Sequence, residues 1–439
     1  MFIIAFPMES QKLYLISSHS GPRLRYVASQ VFERWLGIQF IFASPQDSLP
    51  QNAIRLVYGR EGGHLQIPDL GFLKQLDFKE IDFEFAQIRN VHGVLNGSGF
   101  QWNTDIFSLI FWSLSRFEEY AKPELKDSHS RFPETEMQSH LFNFKDYPFV
   151  DVWVSELGKQ LQSLGLTVVL PEFEREATLD IDNPTAFKYK GLIRNGASIF
   201  SHFLKGNWAQ AMNRLEVSFM GKEDPFFTFD RIEAVCESLN IRPIYFIWIG
   251  DYGPNDKGLH FRNPFFQKLI QRIAGRYPVG IHPSYHSFNR PEQIENEKKR
   301  LEQVTNQPVT KSRQHYLRFR LPETYRQLAD SGITDEFSMG FSQSFGFRAG
   351  TSKSFLWYDL ENELETKLMI HPFSIMDSTG LHQLKISPSE FIKQANDLEI
   401  KLKEIGGTLS ILFHNENFGG KMEWTGWESV FETVMKGTD

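Results

Sequence analysis

The sequence has few of the features that mark disulfide-bonded, membrane-spanning or nucleic-acid-binding proteins. It has one cysteine, Cys236, so no intrachain disulfide can form and an oxidising compartment is not implied. No run approaches the ~18 apolar residues of a transmembrane helix, and a net charge of −7 without a basic stripe disfavours nucleic acid as partner. The opening "MFIIAFPMES" lacks a basic stretch and a small-residue cleavage site. We interpret it as a first strand rather than a signal peptide, and we expect a cytoplasmic protein.

Aromatic residues are abundant. The chain has 41 Phe, nine Trp and thirteen Tyr, enough to fill large cores and leave some for stacking on sugars or bases. Its 439 residues exceed what one hydrophobic core usually organises, so we expect two domains.

Residues 1–168 predict a smaller N-terminal α/β domain of unknown role. "IRLVYG" is strand-like, "GPRLRYVASQVFERWLG" is an amphipathic helix, and "NTDIFSLIFWSLSRFEEYAK" predicts one long buried helix capped by Asn103 or Thr104. The loop "DSHSRF", residues 127–132, holds a histidine and an arginine. We interpret it as making local or interdomain hydrogen bonds, because no other reactive residue lies nearby in sequence.

Residues 169–439 alternate strand-like and helix-like segments, which predicts a parallel sheet with crossover helices. A helical insertion at about residues 185–218 follows the first strand, "EATLDID", and "HYLRF" is predicted as a later strand. Polar residues recur at the carboxyl ends of the predicted strands: Asp180, Asp182, His282, His286 and His414. In an α/β barrel these ends form the active-site rim, so we expect these side chains to converge.

Such a group suits metal-dependent hydrolysis. Hydrolytic metal sites commonly use two histidines and a carboxylate, and His282, His286 and Asp182 predict that set. Asp180, two residues before Asp182 on an extended strand, points to the same side and is placed to take a proton from the attacking water. His414 is placed to protonate the leaving group. Each signal alone has an ordinary structural explanation, and only their combination favours a site.

The motifs "TLDID", "HPSYH", "SRQHY" and "FHNE" resemble, in order, those of the polysaccharide deacetylase family, the family 4 carbohydrate esterases. The first family motif has a threonine, a catalytic-base aspartate and a metal-binding aspartate, which resemble Thr178, Asp180 and Asp182. The second is a pair of metal-binding histidines separated by three residues, which His282 and His286 match.

The third family motif has an arginine that orients the base, then a proline and an aromatic residue. It resembles Arg313 and Tyr316, although His315 stands where the family has proline. The last motif supplies a catalytic histidine, which His414 matches. Over roughly residues 171–439 the resemblance implies a distorted barrel of about seven β/α units and a divalent metal, usually zinc, with nickel, cobalt or manganese as alternatives. It also implies removal of an N- or O-acetyl group from a carbohydrate.

The whole chain also resembles a bacterial subgroup of that family with an extra N-terminal domain, through "LSRFEEY", "GFRAGTS" and "MIHPFSIMD". Arg348, in the second stretch, is the alternative to Arg313 for orienting Asp180 and a candidate contact to an anionic substituent. A backbone N–H near Tyr316 is expected to stabilise the oxyanion. The remaining candidates for contact with sugar are aromatic residues for which core packing is the ordinary alternative: Tyr285, Trp424 and Trp427.

Three functions are open at this level. The first is a metal-dependent deacetylase of a glycan or glycan precursor. The second keeps the metal and fold but cleaves another non-peptide C–N bond, since pocket shape decides between such substrates. The third is a non-catalytic glycan-binding protein, which predicts that at least one catalytic residue is missing. None of the candidate residues is missing, so the sequence favours a hydrolase.

Overall fold

The structure is a computed structural model that describes residues 12–59, 62–78, 83–97 and 99–437. The strand predicted at the start of the chain lies outside these residues. The strands that are described form two sheets, one of six strands and one of nine.

The six-stranded sheet has the order β2-β1-β3-β4-β6-β5, and its strands are parallel except for the β5–β6 pair. Its strands are Leu13–Ser17 (β1), Phe40–Ala43 (β2), Ile54–Tyr58 (β3), Leu65–Ile67 (β4), Gly93–Asn96 (β5) and Gly99–Trp102 (β6). The helices of this part are Pro22–Ala28 (α1), continued by a π-helical segment at Ser29–Trp35, Ile106–Leu114 (α2), Phe117–Ala121 (α3), Gln138–Leu141 (α4) and Phe149–Ser163 (α5). The predicted α/β character of this part is confirmed.

The long helix predicted after β6 is instead two helices, α2 and α3. Arg116 lies between them in the left-handed region, with φ 56°, which an α-helix cannot continue through. The cap is Asp105, whose side chain accepts a hydrogen bond from the Ser108 N–H at 2.9 Å, so Asn103 and Thr104 are one or two positions too early. Helix α2 is apolar on all sides and entirely buried, as predicted.

The nine-stranded sheet has the order β12-β13-β11-β10-β9-β8-β7-β15-β14. Its strands are Glu174–Ile181 (β7), Ile244–Ile247 (β8), Val279–Ile281 (β9), Lys311–Ser312 (β10), Asp335–Glu336 (β11), Phe355–Asp359 (β12), Leu364–Ile370 (β13), Ile375–Met376 (β14) and Thr408–His414 (β15). All neighbours are parallel except β12 and β13. The predicted parallel α/β fold is confirmed. Closure into a barrel stays a prediction, because β12 and β14 are the two ends of the hydrogen-bonded order.

Helices connect these strands. They are Leu192–Leu204 (α6), Trp208–Phe219 (α7), Phe229–Leu239 (α8), Pro264–Ala274 (α9), Pro291–Thr305 (α10), Glu323–Asp330 (α11), Pro388–Ile405 (α12) and Val430–Lys436 (α13), with a π-helical segment at Thr379–Leu384. The insertion predicted after β7 is helical, as expected, and consists of α6 and α7. No helix in the described ranges is both long and apolar enough to cross a membrane.

The segment "HYLRF" is not a strand. The strand in this region is the two-residue β10, and His315–Leu317 form a 3₁₀ turn beyond it. Tyr316 and Leu317 have φ values of 61° and 50°, so the chain leaves the extended conformation immediately after His315. This turn keeps His315 at the carboxyl edge of the sheet.

The two sheets share one continuous hydrophobic core. At their junction the Tyr26 hydroxyl donates to the Leu356 carbonyl at 2.7 Å, and the Trp35 indole N–H donates to the Ser354 carbonyl at 3.0 Å. Buried hydrogen bonds of this kind fix the relative position of the two sheets. The predicted division into two domains at residue 168 stays a prediction.

Candidate active site

A cavity of about 480 Å³ opens at the carboxyl edge of the nine-stranded sheet. Parallel strands end on the same edge, so polar residues that follow different strands meet there. The residues at its centre are Asp180, Asp182, His282, His315, His414 and Glu416, and segment 127–131 lines it from the N-terminal part of the chain.

Asp182, His282 and His315 form the group that can hold a metal ion, with all three potential ligand atoms within 4.8 Å of one another. Asp182 Oδ1 lies 3.1 Å from His282 Nε2, and Asp182 Oδ2 lies 3.3 Å from His315 Nε2. One carboxylate and two imidazole nitrogens are a donor set that suits zinc and related divalent cations.

Each histidine is held in orientation by a hydrogen bond at its Nδ1 atom. His282 Nδ1 lies 2.6 Å from the Arg313 carbonyl, and His315 Nδ1 lies 3.0 Å from Asp256 Oδ1. Because both partners only accept hydrogen bonds, Nδ1 carries the proton in each ring and Nε2 faces Asp182. Asp256 is itself held by the Trp248 indole N–H at 2.9 Å. Metal-binding histidines typically have this arrangement, with the second ring nitrogen bound to a carboxylate or carbonyl.

The charges around this group also suit a cation. Asp182 Oδ1 is buried, and His282 Nε2 lies 3.1 Å from it. Burial would raise the pKa of Asp182, but the charge of His315 and the close approach of both histidines hold it well below its usual value. Burial likewise opposes protonation of His315, but Asp182 and Asp256 raise its pKa to about 9. Asp182, which faces Nε2 of His315, would equally attract a metal ion to that position, while Asp256 holds the ring at Nδ1.

Asp180 and Arg313 form a buried pair on one side of this group. Arg313 Nη1 donates to Asp180 Oδ1 at 3.0 Å and to Thr178 Oγ1 at 2.8 Å, and its Nε donates to the Phe337 carbonyl at 3.0 Å. The arginine is fully buried and stacks over the Phe246 ring at 4.6 Å. These contacts fix the orientation of the Asp180 carboxylate.

His414 lies at the end of β15, where it is the register partner of Asp180 in β7. Its Nδ1 is 2.7 Å from Asp377 Oδ1, and its Nε2 is 3.9 Å from Asp182 Oδ2. Burial would lower the pKa of His414, but Asp377, with smaller contributions from Asp182 and Asp180, raises it to about 10. His414 is therefore protonated at neutral pH and can donate a proton into the cavity.

Glu416 is a second titratable group near His414. Burial, followed by the charges of Asp182 and Asp377, raises the pKa of Glu416 to about 7, although the charge of His414 opposes the shift. A carboxyl group with such a pKa can be either a donor or an acceptor near neutral pH.

The structure does not bring His286 into the metal-binding group. Its side chain is 47% exposed, and its Nε2 lies 3.9 Å from Asp256 Oδ2, on the far side of the carboxylate that holds His315. The 3₁₀ turn Tyr285–Ser287 directs the ring over Gly253 instead of into the cavity. His315, from the turn after β10, occupies the position that the spacing predicted for His286.

Several other predicted residues lie elsewhere. Arg348 is buried against Glu119 and does not line the cavity, because both carboxylate oxygens bind its Nη2 at 2.9 Å. Trp427 packs in the core and Tyr285 lies outside the cavity lining, whereas Tyr316 and Trp424 do line it. Arg313, not Arg348, is therefore the arginine that contacts Asp180.

The N-terminal part contributes one wall of the cavity. Arg131 Nη1 donates to the Tyr316 carbonyl at 2.8 Å, and its Nε donates to Asp127 Oδ2 at 2.7 Å. Arg318 Nε donates to the His129 carbonyl at 2.8 Å. The predicted hydrogen bonding of this loop is confirmed. The sequence did not predict that the loop also lines the cavity.

Four groups of the site had no role in the sequence-based prediction: His315, Asp256, Asp377 and Glu416. The sequence did contain an indication for His315, because this histidine stands where the resembled motif has proline. Glu416 and Asp377 lie within stretches that carry the resemblance. Asp256 is in a loop with no such mark.

A family of unknown function, DUF7033, matches residues 13–166. No curated protein sequence matches the chain. Among solved structures, a Mycobacterium smegmatis protein assigned as a polysaccharide deacetylase is similar over 60% of this chain and 82% of its own, with 12% identity and a TM-score of 0.38. Puue allantoinase is similar over 60% and 83%, with 10% identity and a TM-score of 0.39. The polysaccharide deacetylase Bc1974 from Bacillus cereus is similar over 60% and 86%, with 11% identity and a TM-score of 0.29. Likeness at this level does not bear on substrate or activity.

Proposed function

We propose that this protein is a metal-dependent hydrolase that removes an N- or O-acetyl group from a carbohydrate. One observation carries the proposal. In a single cavity, the Asp182, His282 and His315 group lies next to an arginine-bound carboxylate, Asp180, and next to a histidine, His414, that is held by Asp377. A metal group beside a base and an acid suits the hydrolysis of an acyl bond.

Asp182, His282 and His315 would hold the metal. A divalent cation there supplies Lewis acidity, which lowers the pKa of water and polarises a carbonyl oxygen. The chain's own contribution is to fix the three ligand side chains, through the Arg313 carbonyl behind one histidine and Asp256 behind the other. Zinc is the first expectation, with nickel, cobalt and manganese as alternatives.

The two flanking residues divide the proton transfers. Asp180, oriented by Arg313, takes the proton of the attacking water. His414, charged because of Asp377, gives its proton to the departing amine or alkoxide. The 3.9 Å between His414 Nε2 and Asp182 Oδ2 supports this role, because it brings the histidine next to the metal group.

The cavity lining supports a polyhydroxylated substrate. Hydrogen-bonding side chains dominate the lining beyond the catalytic group, and they include Gln314, Ser342, Gln343, Ser378, His382 and Gln383. Tyr316, which is 42% exposed, adds aromatic surface on which a sugar ring can stack, whereas the Trp424 ring is buried. The volume of about 480 Å³ lies in the ordinary range for small-molecule sites.

The test is acetate release from N- and O-acetylated saccharides by protein loaded in turn with zinc, nickel, cobalt and manganese. We expect turnover that Asp180→Asn and His414→Ala each reduce about 10²–10⁴-fold. His260→Ala, at an exposed histidine outside the cavity lining, is the matched control and retains the activity.

Two other results would replace the proposal. Release of an amine from non-acetyl amides, lost in the same two variants, would keep the metal-dependent hydrolase but change its substrate to another non-peptide C–N bond. Saccharide binding without any hydrolysis by metal-loaded protein would identify a non-catalytic glycan-binding protein.

A further inference from the structure

Helices α6 and α7 form a hairpin that exposes an apolar face. On α6, Phe200 and Leu204 are 64% and 73% exposed, and on α7 Trp208 is 64% exposed. Met212 and Phe219 continue the face along α7 and are also exposed. Residues four or seven positions apart lie on one side of a helix, so each helix presents a stripe rather than scattered residues.

Apolar side chains on the opposite face of the hairpin are already buried. Ile199, Ala211 and Val217 are buried. The exposed stripe is therefore a second apolar face, and packing of the two helices against the rest of the chain does not require it. Contiguous exposed apolar surface of this kind marks a binding surface.

The charge of this region differs from that of the whole protein. Residues 185–222 contain six lysines and arginines and one glutamate, whereas the chain has a net charge of −7. Lys205 is exposed in the turn between the helices, next to Leu204 and close to Trp208. A positively charged segment with exposed Phe, Leu and Trp suits a partner that has negative charge above an apolar layer.

We propose that the α6–α7 hairpin binds the surface of an anionic lipid bilayer, with both helices in the plane of the interface. The helices have 13 and 12 residues, shorter than the ~20 that a spanning helix needs, so neither crosses the bilayer. Phe200, Leu204 and Trp208 enter the boundary between headgroups and acyl chains. Lys205, which is exposed beside Leu204, contacts the anionic headgroups.

The hairpin follows the site closely in sequence. Helix α6 begins at Leu192, ten residues after Asp182, which lines the cavity. The Asp224 carboxylate accepts hydrogen bonds from the backbone N–H groups of Ala186, Phe187 and Lys188 at 2.7–2.9 Å. These hydrogen bonds fix the path of the chain between the site and the hairpin. The proposal does not depend on the reaction proposed above, since it rests on surface and charge alone.

Trp208 supplies a selective reporter. The chain has nine tryptophans, of which eight are buried and Trp208 is exposed. Acrylamide should therefore quench Trp208 preferentially in the full-length protein. We expect phosphatidylcholine vesicles containing phosphatidylglycerol to protect this fluorescence from acrylamide, and brominated lipid to quench it. The protein should also sediment with these vesicles, and much less with pure phosphatidylcholine.

Variants separate the apolar and the electrostatic contributions. Phe200→Ser with Leu204→Ser keeps the reporter and should weaken binding at least about hundredfold, because two apolar side chains no longer enter the lipid. Lys205→Glu should weaken binding about tenfold or more to anionic vesicles. Leu95→Ser removes an equally exposed leucine, 64%, from β5 and should leave binding unchanged. Far-UV circular dichroism checks that each variant is folded.

Three results would overturn the proposal. The first is Trp208 quenching that anionic vesicles do not change, together with no sedimentation. The second is binding that Leu95→Ser weakens as much as the hairpin variant does. The third is protection of Trp208 in lipid-free solution that grows with protein concentration alongside dimer formation by light scattering, which would assign this face to a second copy of the chain.

Discussion

Replacing Glu119 by glutamine should destabilise the protein strongly, because this carboxylate neutralises two buried arginines where the two sheets meet. Arg348 donates to it through Nε and Nη2 at 2.9–3.2 Å, and Arg116 donates through Nε at 2.9 Å. All three side chains are buried. Burial would raise the pKa of Glu119, but the charges of Arg348 and Arg116 lower it below the usual value, so the carboxylate is ionised in the folded protein.

The expected cost is about 3–5 kcal/mol, the typical result of removing one partner from a buried ion pair. Glutamine has nearly the same shape, so the loss is electrostatic. Arg116 would keep the charge of Glu118, whereas Arg348 would lose the carboxylate that it binds. Adding Arg348→Met to Glu119→Gln removes one of these charges and should restore much of the stability. Glu295→Gln, which breaks the exposed pair with Lys299, should leave the unfolding midpoint unchanged.

Urea unfolding followed by far-UV circular dichroism and by tryptophan fluorescence gives the free energies, and agreement of the two probes checks for a single transition. Two results would refute the reasoning. One is a decrease in the free energy of unfolding of less than about 1 kcal/mol for Glu119→Gln, which is what loss of an exposed ion pair would cause. The other is a double variant that is less stable than Glu119→Gln alone.

Three further predictions concern acid stability and catalysis. A hydrogen bond from His371 lowers the pKa of Asp335 to about 2 from 3.8. The ionised carboxylate therefore stabilises the fold above pH 3.8, by about 1 kcal/mol once solvent screening of this partly exposed group is included, and this stabilisation is lost as pH falls through 2. Asp335→Asn should be less stable than wild type in urea at pH 6 and equal to it near pH 2. Asp377→Asn removes the main charge that raises the pKa of His414. The alkaline limb of the pH–rate profile should therefore move to lower pH, and kcat should fall. An alkaline limb that does not move would contradict this role for His414. Arg131→Met breaks the hydrogen bond to the turn after β10 and should raise KM with little change in kcat, whereas a fall in kcat alone would contradict a binding role.

The convergence of Asp180, Asp182, His282 and His414 was predictable because it depends only on strand direction. Each residue ends or follows a strand, and β7, β9 and β15 are parallel. The apolar runs before these residues identify the strands, and alternation along an extended strand puts Asp180 and Asp182 on one side.

The exchange of His286 for His315 was not predictable from spacing. Four-residue spacing brings two histidines together on a helical turn, but His286 lies in a 3₁₀ turn that directs it to Asp256. His315 reaches the cavity because a strand of only two residues ends before it and Tyr316 adopts a left-handed conformation. Hydrophobic periodicity carries no information about so short a strand or so local a turn.

Contacts between distant parts of the chain were also not predictable from the sequence. Arg131 and Tyr316 are 185 residues apart in sequence, and Glu119 and Arg348 are 229 apart. The sequence predicted Arg348 as an alternative to Arg313 and as a contact to an anionic substituent, and only the fold shows that its guanidinium binds Glu119. Whether a side chain is buried against a distant residue depends on the tertiary structure, which a linear sequence pattern does not encode.

The most direct test of the metal centre is the metal content and metal affinity of wild type, His315→Ala and His286→Ala, by elemental analysis and calorimetric titration with zinc. The geometry predicts about one ion per chain in wild type and in His286→Ala, and an affinity at least about 10–100-fold lower in His315→Ala. Retention of the metal by His315→Ala together with its loss from His286→Ala would contradict this ligand set and restore the one predicted from the spacing.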